Sequence, residues 1–253
     1  MRFVPAALVT TLFLVTLSAS AQCPVSYSYC GFAGPAEWKN NWPTCGNTPT
    51  QSPIALDRIS RREGTAPVLH YHPTNVTVTN SGHDFRAVMK DKINTADFPG
   101  MKPGAFQLEN FHFHTPNEHT RAGVKYAGEL HLVHAETADT AHKTGAHVVV
   151  AVFLTEVRAD NPKLDAFFNA LPLGLCKTKD TTFDPNNLLA TAKGPYFTYN
   201  GSLTTPPCDT GVVFYIYPQP IEIGTNQLRK LQAFGDNHRP TQGTRAVELV
   251  TPR

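Results

Sequence analysis

His112 and His114 stand one residue apart in Asn110-Phe111-His112-Phe113-His114, and His131 follows in Glu129-Leu130-His131-Leu132-Val133-His134. In an extended strand alternate side chains share a face, so His112 and His114 project together while Phe111 and Phe113 project to the other side. In the second segment Glu129, His131 and Val133 share a face opposite Leu130, Leu132 and His134. If the two segments are neighbouring antiparallel strands, three imidazoles converge. Three neutral imidazoles plus one open position is the donor set of a catalytic zinc site; a structural site closes the fourth position with protein. Asn110 and Glu129 support this, because each precedes a histidine by two residues on the same face. A ligating imidazole needs an oxygen acceptor on its other ring nitrogen, and these two side chains can supply it.

The elements that must hold these residues are mainly strands. Short β-rich runs bounded by turn residues recur at Val76–Thr79, Phe106–His114, Glu129–His134, His147–Val157 and Val212–Tyr217. His147–Leu154 is apolar on both faces, which suits a strand inside a sheet. Two helices are predicted. Asn161-Pro162-Lys163 precedes Leu164, Phe167, Phe168 and Leu171, a capped start with Pro in the first turn and apolar 3–4 spacing. Thr225–Phe234, with Leu228, Leu231 and Phe234, is the second. The 21 Pro and 17 Gly are spread along the chain, with no linker, repeat or charge block. The predicted fold is mixed α/β but predominantly β, with peripheral short helices.

Residues 1–21 have the pattern of a secretory signal peptide: Arg2, an apolar stretch from Ala6 to Leu17, and Ala19-Ser20-Ala21 before Gln22. The stretch is too short for a membrane span. Removing it takes away one cation and no acid, so the formal charge falls from +2 to +1. So even a balance gives no special attraction to nucleic acid or membrane surfaces. Residues 22–253 are long enough for one large core, and β proteins of this length are often single domains. The chain closes on Val250-Thr251-Pro252-Arg253 without an apolar tail, so no membrane anchor is expected. Export permits disulfides, and five cysteines (Cys23, Cys30, Cys45, Cys176, Cys208) leave at least one free or paired between chains. Asn75-Val76-Thr77 is an acceptor pattern for N-glycosylation.

Further blocks accompany the histidines in a fixed order: Gly34-Pro35-x-x-Trp38, Gln51-Ser52-Pro53-Ile54, Asn80-Ser81-Gly82-His83, Glu118-His119-Thr120, Phe183-Asp184-Pro185 and Gly201-Ser202-Leu203-Thr204-Thr205-Pro206-Pro207. With the histidine segments they make the chain, from about Tyr27 to Arg245, resemble the α-class carbonic anhydrases. The resemblance implies a twisted, mainly antiparallel sheet of about ten strands. It also implies one zinc ion per chain on His112, His114 and His131, and reversible hydration of carbon dioxide to bicarbonate. Zinc lowers the pKa of a bound water to about 7, which makes hydroxide available at neutral pH.

The same resemblance assigns roles to other residues. Thr204 would orient the nucleophile by accepting its proton, handing its own hydroxyl hydrogen to an ionised Glu118. Asn110 would hold His112, Glu129 would hold His131, and the backbone carbonyl of Asn237 would hold His114. His83 would shuttle protons to buffer. Val133, Val149, Leu203, Val212 and Phe214 would wall the carbon dioxide pocket, with Thr205 orienting substrate. His119 and His134 would be buried polar packing. Cys45 and Cys208 would form a disulfide; a second bridge among Cys23, Cys30 and Cys176 is open. Asn200-Gly201-Ser202 also fits the glycosylation pattern but lies in a segment expected to be buried at the site. The expected partner is the small substrate alone, and the chain a monomer or weak dimer.

Three positions depart from the family, which has Trp where this chain has Thr115, Phe214 and His238. Smaller side chains imply a wider or repacked pocket. Two other readings follow from the same residues. A non-catalytic relative used for binding or as matrix would typically lack a ligand His, and all three are kept. A zinc esterase would attack activated esters with the same nucleophile.

Overall fold

The computed structural model describes residues 26–137, 146–189 and 194–253. The segment expected to be a signal peptide and Cys23 lie outside these residues. Among the described residues twelve strands form one sheet. They are β1 (Ala55–Gly64), β2 (Val68–His70), β3 (Thr74–Asn80), β4 (Phe85–Met89), β5 (Thr95–Asp97) and β6 (Phe106–His114) in the first half. The second half contributes β7 (Gly128–Glu136), β8 (His147–Val157), β9 (Thr178–Phe183), β10 (Tyr196–Ser202), β11 (Thr210–Gly224) and β12 (Thr244–Pro252). Ten follow one path, β1-β12-β10-β11-β8-β7-β6-β4-β3-β9, while β2 and β5 pair at its side. Only β1–β12 and β11–β8 are parallel, so the sheet is mainly antiparallel as expected.

The first helical segment is shorter than the apolar spacing predicts, while the second spans the predicted residues and ends as a 3₁₀ turn. Asn161 does cap its segment, accepting from Lys163 N, but a 3₁₀ turn over Pro162–Leu164 leads into an α-helix of only Asp165–Phe168. The helix Thr225–Leu231 passes into a 3₁₀ turn at Gln232–Phe234. In both, the apolar side chains dock on the sheet, and packing rather than helix propensity sets their length.

Strand alternation sorts the apolar side chains of the central strands into two clusters. Phe111, Phe113, Leu130, Leu132, Val148, Val150 and Val152 join the larger cluster, which also takes Phe167 and Leu228 from the helical segments. Val133, Val149, Ala151, Val212 and Phe214 join the smaller one with Ile54 and Leu56. β6, β7 and β8 lie inside the sheet with apolar packing behind them, which fixes the opposite face as a rigid platform. Gly128, at the start of β7, allows the two histidine-bearing strands to approach. A Cβ there would stand 2.5 Å from His114 O and 2.9 Å from Leu154 Cδ1.

Cys45 and Cys208 are joined by a disulfide across 163 residues. Cys176 is also disulfide-bonded, and Cys30 is free and exposed. No helix among the described residues is long and apolar enough to cross a membrane.

Candidate metal centre

β6 and β7 pair antiparallel, setting His112 directly opposite His131 and His114 opposite Glu129. The three imidazoles are buried, with ring centroids 5.1 Å (His112–His114), 5.6 Å (His112–His131) and 4.7 Å (His114–His131) apart. One nitrogen from each lies within 4.8 Å of the others.

The remaining nitrogens are each held by an oxygen. His112 Nδ1 bonds Asn110 Oδ1 at 3.0 Å, His114 Nδ1 bonds the Asn237 carbonyl at 2.8 Å, and His131 Nε2 bonds Glu129 Oε1 at 2.8 Å. An acceptor oxygen requires the proton on that ring nitrogen, which leaves lone pairs on His112 Nε2, His114 Nε2 and His131 Nδ1. These are the converging atoms. Burial pushes the His112 ring well below the usual histidine range, and the positive charges of Arg86 and the neighbouring rings add to this. It therefore stays neutral, the form that ligates.

His114 Nε2 is buried without a hydrogen-bond partner, and so is Glu118 Oε2. They lie 3.5 Å apart, with His131 Nδ1 3.9 Å from the same carboxylate oxygen. Buried polar atoms without partners are rare and costly. A zinc ion held by the three rings would satisfy the imidazole nitrogen, so the donor set fits zinc. The other Glu118 oxygen accepts from Arg239 N at 2.8 Å. The hydrogen bond expected between Thr204 and Glu118 is not formed: the unpartnered carboxylate oxygen faces the rings instead.

Glu129 is held from four sides. Its Oε1 bonds His131 and His119 Nδ1, and its Oε2 accepts from the backbone N–H groups of Glu118 and His119 at 2.9 and 2.8 Å. Burial alone would raise its pKa, but the charge and hydrogen bond of His119 and the hydrogen bond of His131 outweigh that and lower it. His119, Glu129 and His131 also cluster tightly enough to suggest a metal. Both nitrogens of His119 are already engaged, however, the second with Tyr199 Oη at 2.6 Å, so it serves as a prop for Glu129. His134 lies on the opposite face, between Tyr71 Oη at 2.5 Å and the Val148 carbonyl at 3.1 Å.

A cavity of about 250 Å³ opens beside His112 and His131. Val133, Val149, Leu203, Thr204, Thr205 and Phe214 border it with His112 and His131. Val212 does not; it is buried in the smaller apolar cluster. Phe214 stacks on Tyr199 with centroids 5.0 Å apart and meets His119 edge-on, so neighbouring rings take up space that a Trp would fill. Thr115 is buried, its N–H donating to Asn237 Oδ1 at 2.6 Å. The His238 Nδ1 atom is buried without a partner. Thr204 sits in the turn between β10 and β11, which Cys208 ties to Cys45.

His83 is half-buried and stacks face to face on Tyr27, centroids 3.9 Å apart, outside the residues bordering the cavity. Burial lowers its pKa, with smaller opposing and reinforcing effects of Asp84 and Arg86. Asn75 is exposed on β3, its amide hydrogen-bonded to Asp91 and Thr182.

Three residues bordering the cavity were not singled out from the sequence: Arg86, Glu109 and His147. Arg86 pairs with His112 across β4 and β6, so both point to the same face. His147 could have been found, since it precedes Val149 by two residues on one predicted strand.

The family model for eukaryotic-type carbonic anhydrases matches residues 33–250. A carbonic anhydrase of Klebsiella pneumoniae is 35% identical over 245 residues, covering 92% of this chain and 96% of the relative. Carbonic anhydrase 1 of Monodelphis domestica is 33% identical, covering 83% and 86%. The solved α-carbonic anhydrase of Photobacterium profundum superposes with a TM-score of 0.78 at 32% identity, over 88% of this chain and 99% of that one. Sheet, histidine cluster and extended sequence similarity agree, and the chain belongs to the eukaryotic-type carbonic anhydrase family.

Proposed function

We propose that the chain is a zinc enzyme that reversibly hydrates carbon dioxide to bicarbonate and a proton, working outside the cell. The observation that carries this reading is the set of three buried ring nitrogens whose partners force their lone pairs to one point, with His114 Nε2 left unbonded. Zinc bound there would supply Lewis acidity and a water ionising near pH 7.

The chain's own residues would do the rest. His112, His114 and His131 hold the metal, and Asn110, Asn237 and Glu129 hold those rings in place. Thr204 borders the cavity and would accept the proton of the attacking oxygen, aiming its lone pair at the substrate carbon. Glu118 Oε2 faces the rings and is unpartnered, and it would have to turn toward Thr204 to accept its hydroxyl hydrogen. Val133, Val149, Leu203 and Phe214 offer carbon dioxide an apolar wall suited to an uncharged substrate, with Thr205 at its edge. His83 would hand protons to buffer. Export is supported by the Cys45–Cys208 disulfide, which needs an oxidising compartment. Asn75 is the glycosylation site we assign.

Stopped-flow measurement of carbon dioxide hydration tests this. Activity should disappear with a zinc chelator and return when zinc is restored; an activity indifferent to zinc would refute the reading.

A further inference from the structure

β7 and β8 pair in a register that sets His131 opposite Ala151, Val133 opposite Val149, and Ala135 opposite His147. Directly paired residues in an antiparallel ladder share a face. His131, Val133 and Ala135 thus run beside Ala151, Val149 and His147 as two parallel rows along the cavity wall. His147 ends its row four residues from the level of His131, roughly 13 Å along the strand at about 3.3 Å per residue. It borders the same cavity as His112 and His131, and it is half-buried, so it also meets solvent. On its other side Val212 of β11 lies opposite in parallel register. The charged side chains bordering the cavity with it are Arg86 and Glu109.

The position is an unusual one for a titratable group. Val133, Val149, Leu203 and Phe214 make this wall apolar, and an imidazole at its rim is not needed to pack it. His83, meanwhile, lies against Tyr27 and does not border the cavity. Every hydration cycle releases a proton that must cross the cavity to reach buffer. An imidazole suits the task, because it exchanges protons around neutral pH.

We propose that His147 is a second proton-transfer residue, which takes the proton released at the metal centre through cavity water and delivers it to buffer. One ring nitrogen accepts the proton, the imidazolium gives a proton to a buffer base, and the neutral ring is restored; no electrons move. In the dehydration direction the same steps run backwards. The proposal rests on the carbonic anhydrase reading above.

The test uses the zinc-loaded full protein with His147→Ala, His147→Gln, His83→Ala and the double variant. Gln keeps size and polarity without a titrating ring, which separates loss of the proton path from a packing defect. In dilute buffer both His147 variants should lose at least about threefold in kcat with kcat/KM unchanged, and the double variant should lose more than either single one. Added imidazole should restore the rate. Independently of turnover, NMR of the zinc-loaded protein should show the His147 ring proton exchanging rapidly with solvent, as a proton-transfer group must. An unchanged kcat in dilute buffer in both backgrounds, or a ring sealed from solvent exchange, overturns the proposal. A fall in kcat/KM with zinc retained would make His147 a pocket residue and overturns it too. If the wild-type protein fails to hydrate carbon dioxide, the parent reading falls and takes this one with it.

Discussion

The backbone N–H of Arg239 donates to Glu118 Oε1 at 2.8 Å, so the carboxylate beside the histidine cluster is held by the residue that also anchors the N-terminal segment. The Arg239 guanidinium donates to Gln51 Oε1 and Ser52 O at 2.8 Å and to Cys45 O at 2.9 Å, and it lies over the Trp38 ring. Burial depresses its pKa to about 10, partly offset by the charge of Glu118. It is still cationic at neutral pH. A single buried cation therefore couples the orientation of Glu118 to a segment distant in sequence.

Glu118→Gln separates the hold on Arg239 from the proposed acceptor role toward Thr204. The amide oxygen can still accept from Arg239 N, so the fold and zinc content should be preserved. The other amide position is a donor, where the Thr204 hydroxyl needs an acceptor. Carbon dioxide hydration should fall on the order of 100-fold, a loss typical of misoriented reacting groups. Thr204→Ala should lose a similar factor with zinc retained. Stopped-flow rates beside zinc analysis check both; wild-type rates in the two variants would show that another group orients the nucleophile.

His131→Ala should lower zinc occupancy and abolish hydration. The substitution also removes a partner of Glu129, leaving a buried carboxylate held by His119 and two backbone N–H groups. Loss of stability should accompany loss of metal, since an unbalanced buried charge is costly. Zinc analysis after dialysis against a weak chelator, with thermal unfolding, reads both effects. Full zinc and a normal rate in this variant would remove the assignment of the centre.

The disulfide closes a loop of 163 residues, and Gln51 Nε2 donates to the Cys208 carbonyl at 3.1 Å beside it. Crosslinking a loop of that length stabilises by roughly 5 kcal/mol in the chain-entropy model, and often less in practice. The double variant Cys45→Ser/Cys208→Ser should unfold at lower urea concentration. It should also turn over more slowly, because Thr204 and Thr205 lie in the turn that Cys208 ties down. Equal stability of oxidised and reduced wild-type protein would contradict this.

Much of the site was legible because alternation in a strand is a strong constraint. Once Phe111, Phe113, Leu130 and Leu132 are placed toward the core, His112, His114 and His131 have only the other face. The bounds of β6 and β8 match the sequence reading for the same reason. The strands that were not foreseen include β1, whose Arg58, Arg61 and Arg62 break any apolar pattern because the strand lies at the sheet edge. Asn237 was found only through family resemblance, since it holds His114 with a backbone carbonyl that has no signature in residue type. Arg86 escaped because its place opposite His112 depends on the β4–β6 register, which no local pattern encodes.

His134 gives a pH dependence of stability that is separate from the metal centre. Burial lowers its pKa to about 4, against weaker opposing hydrogen bonds to backbone groups. The Val148 carbonyl can only accept, so His134 Nδ1 carries the proton and Nε2 accepts from the Tyr71 hydroxyl. The folded protein then binds fewer protons than the unfolded chain between about pH 6.5 and about 4, and stability rises with pH across that window. The contribution is fully present above the unfolded pKa, near 6.5, and is lost as pH falls toward 4. The difference corresponds to about 3 kcal/mol. The paired variant Tyr71→Phe/His134→Leu removes the titrating ring together with its hydroxyl partner. Urea unfolding of the zinc-free proteins at pH 7 and pH 5 should show a smaller loss of stability in the variant than in the wild type. Equal losses in the two proteins, or an NMR titration placing the His134 ring near pH 6.5, would exclude this residue as the source.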